Sequence, residues 1–213
     1  MVVEPNGRID VLYQGYHITD TTIYAMDPGY SYFTSSSDGG ATWSAPVRLG
    51  PDNGTMSLSE WWIDGDIGID STGNLYAVWD TQGSDNDIGW LSYSIDHGAH
   101  WSTPVQVPPD RLNVPHVMEV AGGGSGIAYV SFFSSADPRG YAEYLRTFSI
   151  TRGFLTAPLQ VSSEFGDTAV WPGDTFGIST LSPDDVVLSW RSATTSSKNK
   201  SDIFGANVGV RLH

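Results

Sequence analysis

Residues 63–70 alternate two kinds of side chain, Ile63, Gly65, Ile67 and Ile69 on one side and Asp64, Asp66, Gly68 and Asp70 on the other. A period of two is that of a β-strand, so three carboxylates share one side of it. Unpaired carboxylates buried between packed sheets cost several kcal/mol each, and something must compensate them. Asp70 precedes the turn Ser71-Thr72-Gly73 and caps it, as aspartates do. Asp64 and Asp66 have no such turn. Four readings stay open for them: lining a channel, pairing with Arg191 or Arg111, holding a cation, or serving as acid and base. In glycoside hydrolysis one carboxyl group protonates the leaving oxygen and a second acts as base or nucleophile. Glu119, at the matching position of a later strand, can face such a carboxylate at equal depth. The candidate catalytic set is therefore Asp64, Asp66, Glu119 and Arg191. Asp64-Gly65-Asp66 and Asp85-Asn86-Asp87 also offer clustered hard oxygen ligands for Ca2+, although neither has an EF-hand loop. No other cofactor is implied.

A repeat positions these groups. Counting from Gly7, Gly73, Gly126 and Asp184, the sixth residue on is aromatic: Tyr13, Trp79, Phe132 and Trp190. The second and fourth are apolar, in the alternation of a strand. The reference residues lie 66, 53 and 58 positions apart, the length of a four-stranded propeller blade with its loops. Four blades, near 2–50, 61–107, 114–161 and 170–213, account for nearly the whole chain as one β-propeller domain.

A second motif fixes which end of the blades to search. Ser36-Ser37-Asp38-Gly39-Gly40-Ala41-Thr42-Trp43 recurs as Ser94-Ile95-Asp96-His97-Gly98-Ala99-His100-Trp101. The Asp can bond turn amides, the Gly can take positive φ, and the Trp can cover the turn's apolar side. Ser36, Asp38, Gly40 and Trp43, with Ser94, Asp96, Gly98 and Trp101, are thus expected to be structural. A decayed copy, Ser149-Ile150-Thr151-Arg152-Gly153, lacks both Asp and Trp, and the fourth blade has none. This pattern resembles the Asp-box of sialidases and related propellers. The resemblance implies an all-β, six-bladed fold with the boxes at the turn between third and outermost strands, opposite the active site. It also implies that these four blades are the C-terminal part of a larger propeller. A closed four-bladed ring and two chains completing one another are the alternatives.

On the opposite face stand the ends of second strands and the starts of inner strands. The candidate ligand-binding residues there are Trp61, Trp62, Asp80, His116 and Asp174, aromatics beside carboxylates as a sugar needs for ring stacking and hydroxyl bonding. A sialidase would further present three arginines, the first in an Arg-Ile-Pro context. No Arg-Ile-Pro occurs, and Arg111, Arg139 and Arg191 carry no matching context. Tyr13, Tyr16 and Tyr141 are nucleophile candidates by location alone.

The expected function is that of sialidase-like glycoside hydrolase blades acting on glycan termini, inactive as this chain alone; the alternative is a non-catalytic propeller that binds glycans or proteins. A net charge of −14 repels phosphates and argues against nucleic acid and anionic membrane as partners. A glycan or polysaccharide suits it better. The 24 glycines and 12 prolines agree with an all-β domain, and no apolar run is long enough to cross a bilayer as a helix. The chain has no cysteine, hence no disulfide framework. A secreted or cell-surface location is expected, although residues 1–5 lack the features of a signal peptide.

Overall fold

The computed structural model describes residues 1–15, 18–20, 25–26, 30–50, 65–81, 88–107, 115–135, 137–167, 176–193 and 202–210. Among these there is no helix; eighteen strands form four successive antiparallel sheets and one small ribbon.

Sheet 1 runs outward from β1 (Val2–Val3) through β2 (Ile9–Gly15) and β5 (Tyr30–Ser36) to β6 (Val47–Leu49), and the ribbon β3 (Ile18–Asp20) with β4 (Ala25–Met26) lies in its long loop. Sheet 2 repeats the order with β7 (Gly65–Ile69), β8 (Leu75–Thr81), β9 (Ile88–Ser94) and β10 (Val105–Val107). Sheet 3 has β11 (Pro115–Gly122), β12 (Ile127–Ser134), β13 (Ala142–Ser149) and an outer strand split into β14 (Gly153–Phe154) and β15 (Leu159–Gln160), both paired with β13. Sheet 4 has β16 (Phe176–Ser182), β17 (Asp185–Ser192) and β18 (Asp202–Gly209).

Three apolar clusters fill the junctions between consecutive sheets. Phe33 and Leu49 of sheet 1 pack with Leu75, Ala77 and Trp79 of sheet 2. Val78 and Leu91 of sheet 2 pack with Val130 and Phe132 of sheet 3, and Phe133 and Leu145 of sheet 3 pack with Leu188 and Trp190 of sheet 4. The reference aromatics Trp79, Phe132 and Trp190 each face the preceding sheet, as one strand period demands.

Polar ties at one end hold consecutive sheets in register. The Asp70 carboxylate accepts hydrogen bonds from the Thr72 and Asn74 amides at 2.8 and 3.1 Å and from the Tyr76 hydroxyl at 2.9 Å. It also reaches sheet 3, accepting the Gly126 amide at 2.7 Å. Burial pushes its pKa up, but the donors from Asn74, Thr72 and Gly126 outweigh it and hold the carboxyl below the usual range. Asp70→Ala leaves several buried donors unmet and is expected to lower the stability measured by urea unfolding by about 2 kcal/mol.

At the junction of sheets 1 and 2 the same place is taken by charges. Arg8 Nε donates to Asp10 at 3.0 Å, its Nη2 donates to the His97 carbonyl, and His97 Nδ1 lies 2.9 Å from the Glu4 carboxylate. Asp10 is fully buried and its Oδ2 has no partner. Burial first, then the Glu4 carboxylate, push its pKa up to about 6 against the opposing pull of Arg8.

Candidate functional site

The two intact boxes have one geometry. Ser36 Oγ donates to Asp38 at 2.8 Å and accepts the Gly40 amide at 2.9 Å, while Asp38 accepts the Thr42 amide at 2.9 Å. Ser94, Gly98, Asp96 and the His100 amide repeat this at 2.8, 2.8 and 2.9 Å. Donors from Thr42 and from His100 hold the two carboxyls down at about 2. A carboxylate saturated by its own turn closes the loop and is spoken for chemically. Trp101 crosses Phe33 of the preceding sheet at 5.1 Å, whereas Trp43 is 46% exposed because no described sheet precedes sheet 1.

The boxes join β5 to β6 and β9 to β10, so the remote end of each sheet holds the ends of β8, β12 and β17 and the starts of β11 and β13. Asp80 lies there, buried, opposite Gly89. The His116 backbone pairs with Phe133. Asp66 pairs with Val78 and Glu119 with Ser131, so these two carboxylates occupy the same register position in adjacent sheets. Asp66 reaches across the junction, where its Oδ2 accepts the Val120 amide at 3.1 Å. Burial raises its pKa, opposed by the amides of Val120 and Ile67. Trp61, Trp62, Asp64, Asp174, Arg111, Tyr16 and the Asp85–Asp87 pair lie outside the described residues.

The structure adds two features that the sequence reading did not pick out. Glu143 opens β13 between the exposed Arg139 turn and the apolar strand, and its side chain is buried among sheets 3 and 4. Ser131 donates to its carboxylate, but Oε2 has no hydrogen-bond partner. Burial pushes its pKa well up, and the Glu119 carboxylate adds to the rise. Glu119, half-buried, and Glu143 thus form an unlike pair across β11, β12 and β13. The second feature is Val117, at φ 47 in the register shift between His116 and Glu119. A β-branched residue is strained in the left-handed region, and a bulge re-aims the side chains after it. Glu143 was visible in the sequence only as a charge inside the apolar run Tyr141–Leu145; Val117 left no signal there.

Two arginines stand at this end, Arg139 in the turn from β12 to β13 and Arg191 near the end of β17. Arg139 is bonded to Asp137 at 2.6 Å and stacks on Phe165, while Arg191 is exposed on the face of β17 opposite Trp190. Arg8 belongs to the box end. No cluster of metal-ligating side chains occurs among the described residues.

No protein-family model matches the chain, and no curated protein matches it. Solved structures do. A protein of unknown function from Dyadobacter fermentans aligns over 99% of this chain and 52% of its own, at 17% identity and a TM-score of 0.68. A Hadza microbial sialidase aligns over 96% and 43%, at 12% identity and 0.60. An α-L-arabinanase of Penicillium chrysogenum, solved with arabinobiose, aligns over 96% and 60%, at 11% identity and 0.59. The chain therefore has a sialidase-like propeller fold and spans about half the length of these structures. At such identity the likeness concerns the fold alone.

Proposed function

We propose that this chain is the glycan-binding part of a sialidase-like glycoside hydrolase propeller, and that hydrolysis needs polypeptide beyond these four sheets. The observation that carries the reading is the Glu119–Glu143 pair at the box-remote end of sheet 3. Burial favours the uncharged form of Glu143, while Glu119 on the neighbouring inner strand is only half-buried. The box-remote ends of sheets 2 and 3 would receive the sugar, with Glu119 as the contact residue and Glu143 positioning its charge.

A second reading, a binding propeller without catalysis, is favoured by Arg139 being held by Asp137 in its own turn. Two measurements separate the outcomes. On an array of sialylated, arabinan and mannan oligosaccharides the chain is expected to retain at least one class, and Glu119→Gln to lose it. No retention would overturn the proposal. With fluorogenic sialoside and arabinofuranoside, no turnover above the Glu119→Gln background is expected from this chain alone, and turnover would refute the part of the proposal that requires further polypeptide.

A further inference from the structure

The turns after the inner strands of sheets 1 and 2 share one backbone geometry but differ in polar content. In sheet 2 the Asp70 amide donates to the Asn74 carbonyl and the Gly73 amide to the Asp70 carbonyl; in sheet 1 the Glu4 amide donates to Arg8 and the Gly7 amide to Glu4. Glu4 therefore stands where Asp70 stands. Three residues past the turn glycine, Asp10 corresponds to Tyr76, and both are fully buried. The Tyr76 hydroxyl donates to the Asp70 carboxylate at 2.9 Å. An ionised Asp10 has no hydrogen to give and cannot do the same for Glu4.

Asp10 Oδ1 accepts from Arg8 Nε at 3.0 Å, and Oδ2 has no donor among the described residues. The buried Glu4 carboxylate accepts from Asn6 Nδ2 at 3.2 Å and lies 2.9 Å from His97 Nδ1 and 3.8 Å from Arg8 Nε. Among the described residues, the charged and titratable groups around Asp10 are thus Glu4 and Arg8 of its own hairpin and His97 of the second box. Two carboxyl groups in one buried site resist ionising together. A proton on Asp10 Oδ2 removes one of the charges and turns the orphan oxygen into a donor. His97 carries a second, independent sign. Its φ is 57, at the box position that Gly39 fills in sheet 1, and in this left-handed conformation its ring reaches across the junction to Glu4.

We propose that Asp10 and Glu4 hold one proton between them, Asp10 Oδ2 donating to Glu4 as the Tyr76 hydroxyl donates to Asp70, and that this proton latches the second box onto sheet 1 by keeping Glu4 in place for His97. When the proton leaves, two adjacent carboxylates repel. Asp10 is fixed on β2, paired on both sides and held by Arg8, whereas Glu4 lies at the turn on a longer side chain. Glu4 is therefore the group that swings out, and His97 loses its acceptor. Burial, and after it Glu4, raise the Asp10 pKa to about 6 against the pull of Arg8, so the latch is closed in mildly acidic solution and opens as pH rises through that value. The inference does not depend on the glycan reading above.

The test follows the full chain by NMR from pH 4 to pH 8, with isotope labels on the side-chain carboxyls and the imidazoles. The Asp10 and Glu4 carboxyl carbons are expected to move together in one step near pH 6, because the titration belongs to the pair. Cross-peaks between the His97 ring and the Glu4 side chain should lose most of their intensity through the same step. In Asp10→Asn, whose amide donates as the protonated acid does, the cross-peaks should persist to pH 8 and the Glu4 carbon should show no step near pH 6. Glu4→Gln supplies a fixed donor from the other side and should move the Asp10 step to lower pH by about one unit or more; it serves alone if Asp10→Asn does not fold. Separate titrations of Asp10 and Glu4, or an Asp10 step left in place by Glu4→Gln, would overturn the shared proton. Cross-peaks that stay constant across the range in the unchanged chain, or that fade equally in Asp10→Asn, would overturn the latch.

Discussion

Between pH 4.5 and pH 7 the chain is expected to lose about 2 kcal/mol of stability through Asp10 alone. Its folded pKa of about 6 lies above the ordinary carboxylate value. In that window the unfolded chain releases the proton and the folded chain keeps it, so rising pH favours unfolding. Glu143 and Asp66, raised by burial, act in the same sense. The box aspartates and Asp70 act oppositely, since their carboxyls are held down in the fold and their contribution is lost only as pH falls below about 4. Stability should therefore peak in mildly acidic solution. Urea titrations across pH 3 to 8 would show it. Asp10→Asn keeps an acceptor for Arg8 and lets the new amide donate toward Glu4, so it should raise stability at pH 7 by about 2 kcal/mol and flatten the slope. A profile of Asp10→Asn parallel to the unchanged chain would contradict the assignment.

Gly122→Ala is expected to destabilise by about 3 kcal/mol or more, because the inner strands β7 and β11 meet there backbone to backbone. A Cβ on Gly122 would fall 2.0 Å from the Ile69 carbonyl oxygen and 2.3 Å from the Asp70 amide nitrogen. Both are main-chain atoms and cannot swing aside. Widening the gap would also stretch the Asp66–Val120 and Asp70–Gly126 bonds. Gly153→Ala supplies the comparison: φ is +73 but nothing lies within 4 Å, so only left-handed strain of about 1–2 kcal/mol is expected. Equal losses in urea for the two variants would show that the close approach is not what holds sheets 2 and 3 together.

Much of this fold is legible in the sequence because its repeat is short and its strands alternate. Trp79, Phe132 and Trp190 are aligned by counting from a turn residue, and each faces the preceding sheet. The paired register of Asp66 and Glu119 is visible the same way. Glu143 is not, because its burial comes from sheet 4, more than thirty residues further along the chain. The cluster of Glu4, Arg8, Asp10 and His97 is hidden for the same reason: His97 reaches sheet 1 from the second box, where the first box has Gly39. Long-range pairing leaves no local period to read.

The most direct test maps where a glycan binds. With the chain labelled on backbone amides and titrated with an oligosaccharide retained on the array, shift changes should gather at residues 78–81, 115–119, 131–134 and 141–143, the box-remote ends of sheets 2 and 3. Changes gathered at residues 36–43 and 94–101 instead would place the ligand on the box face and contradict the account.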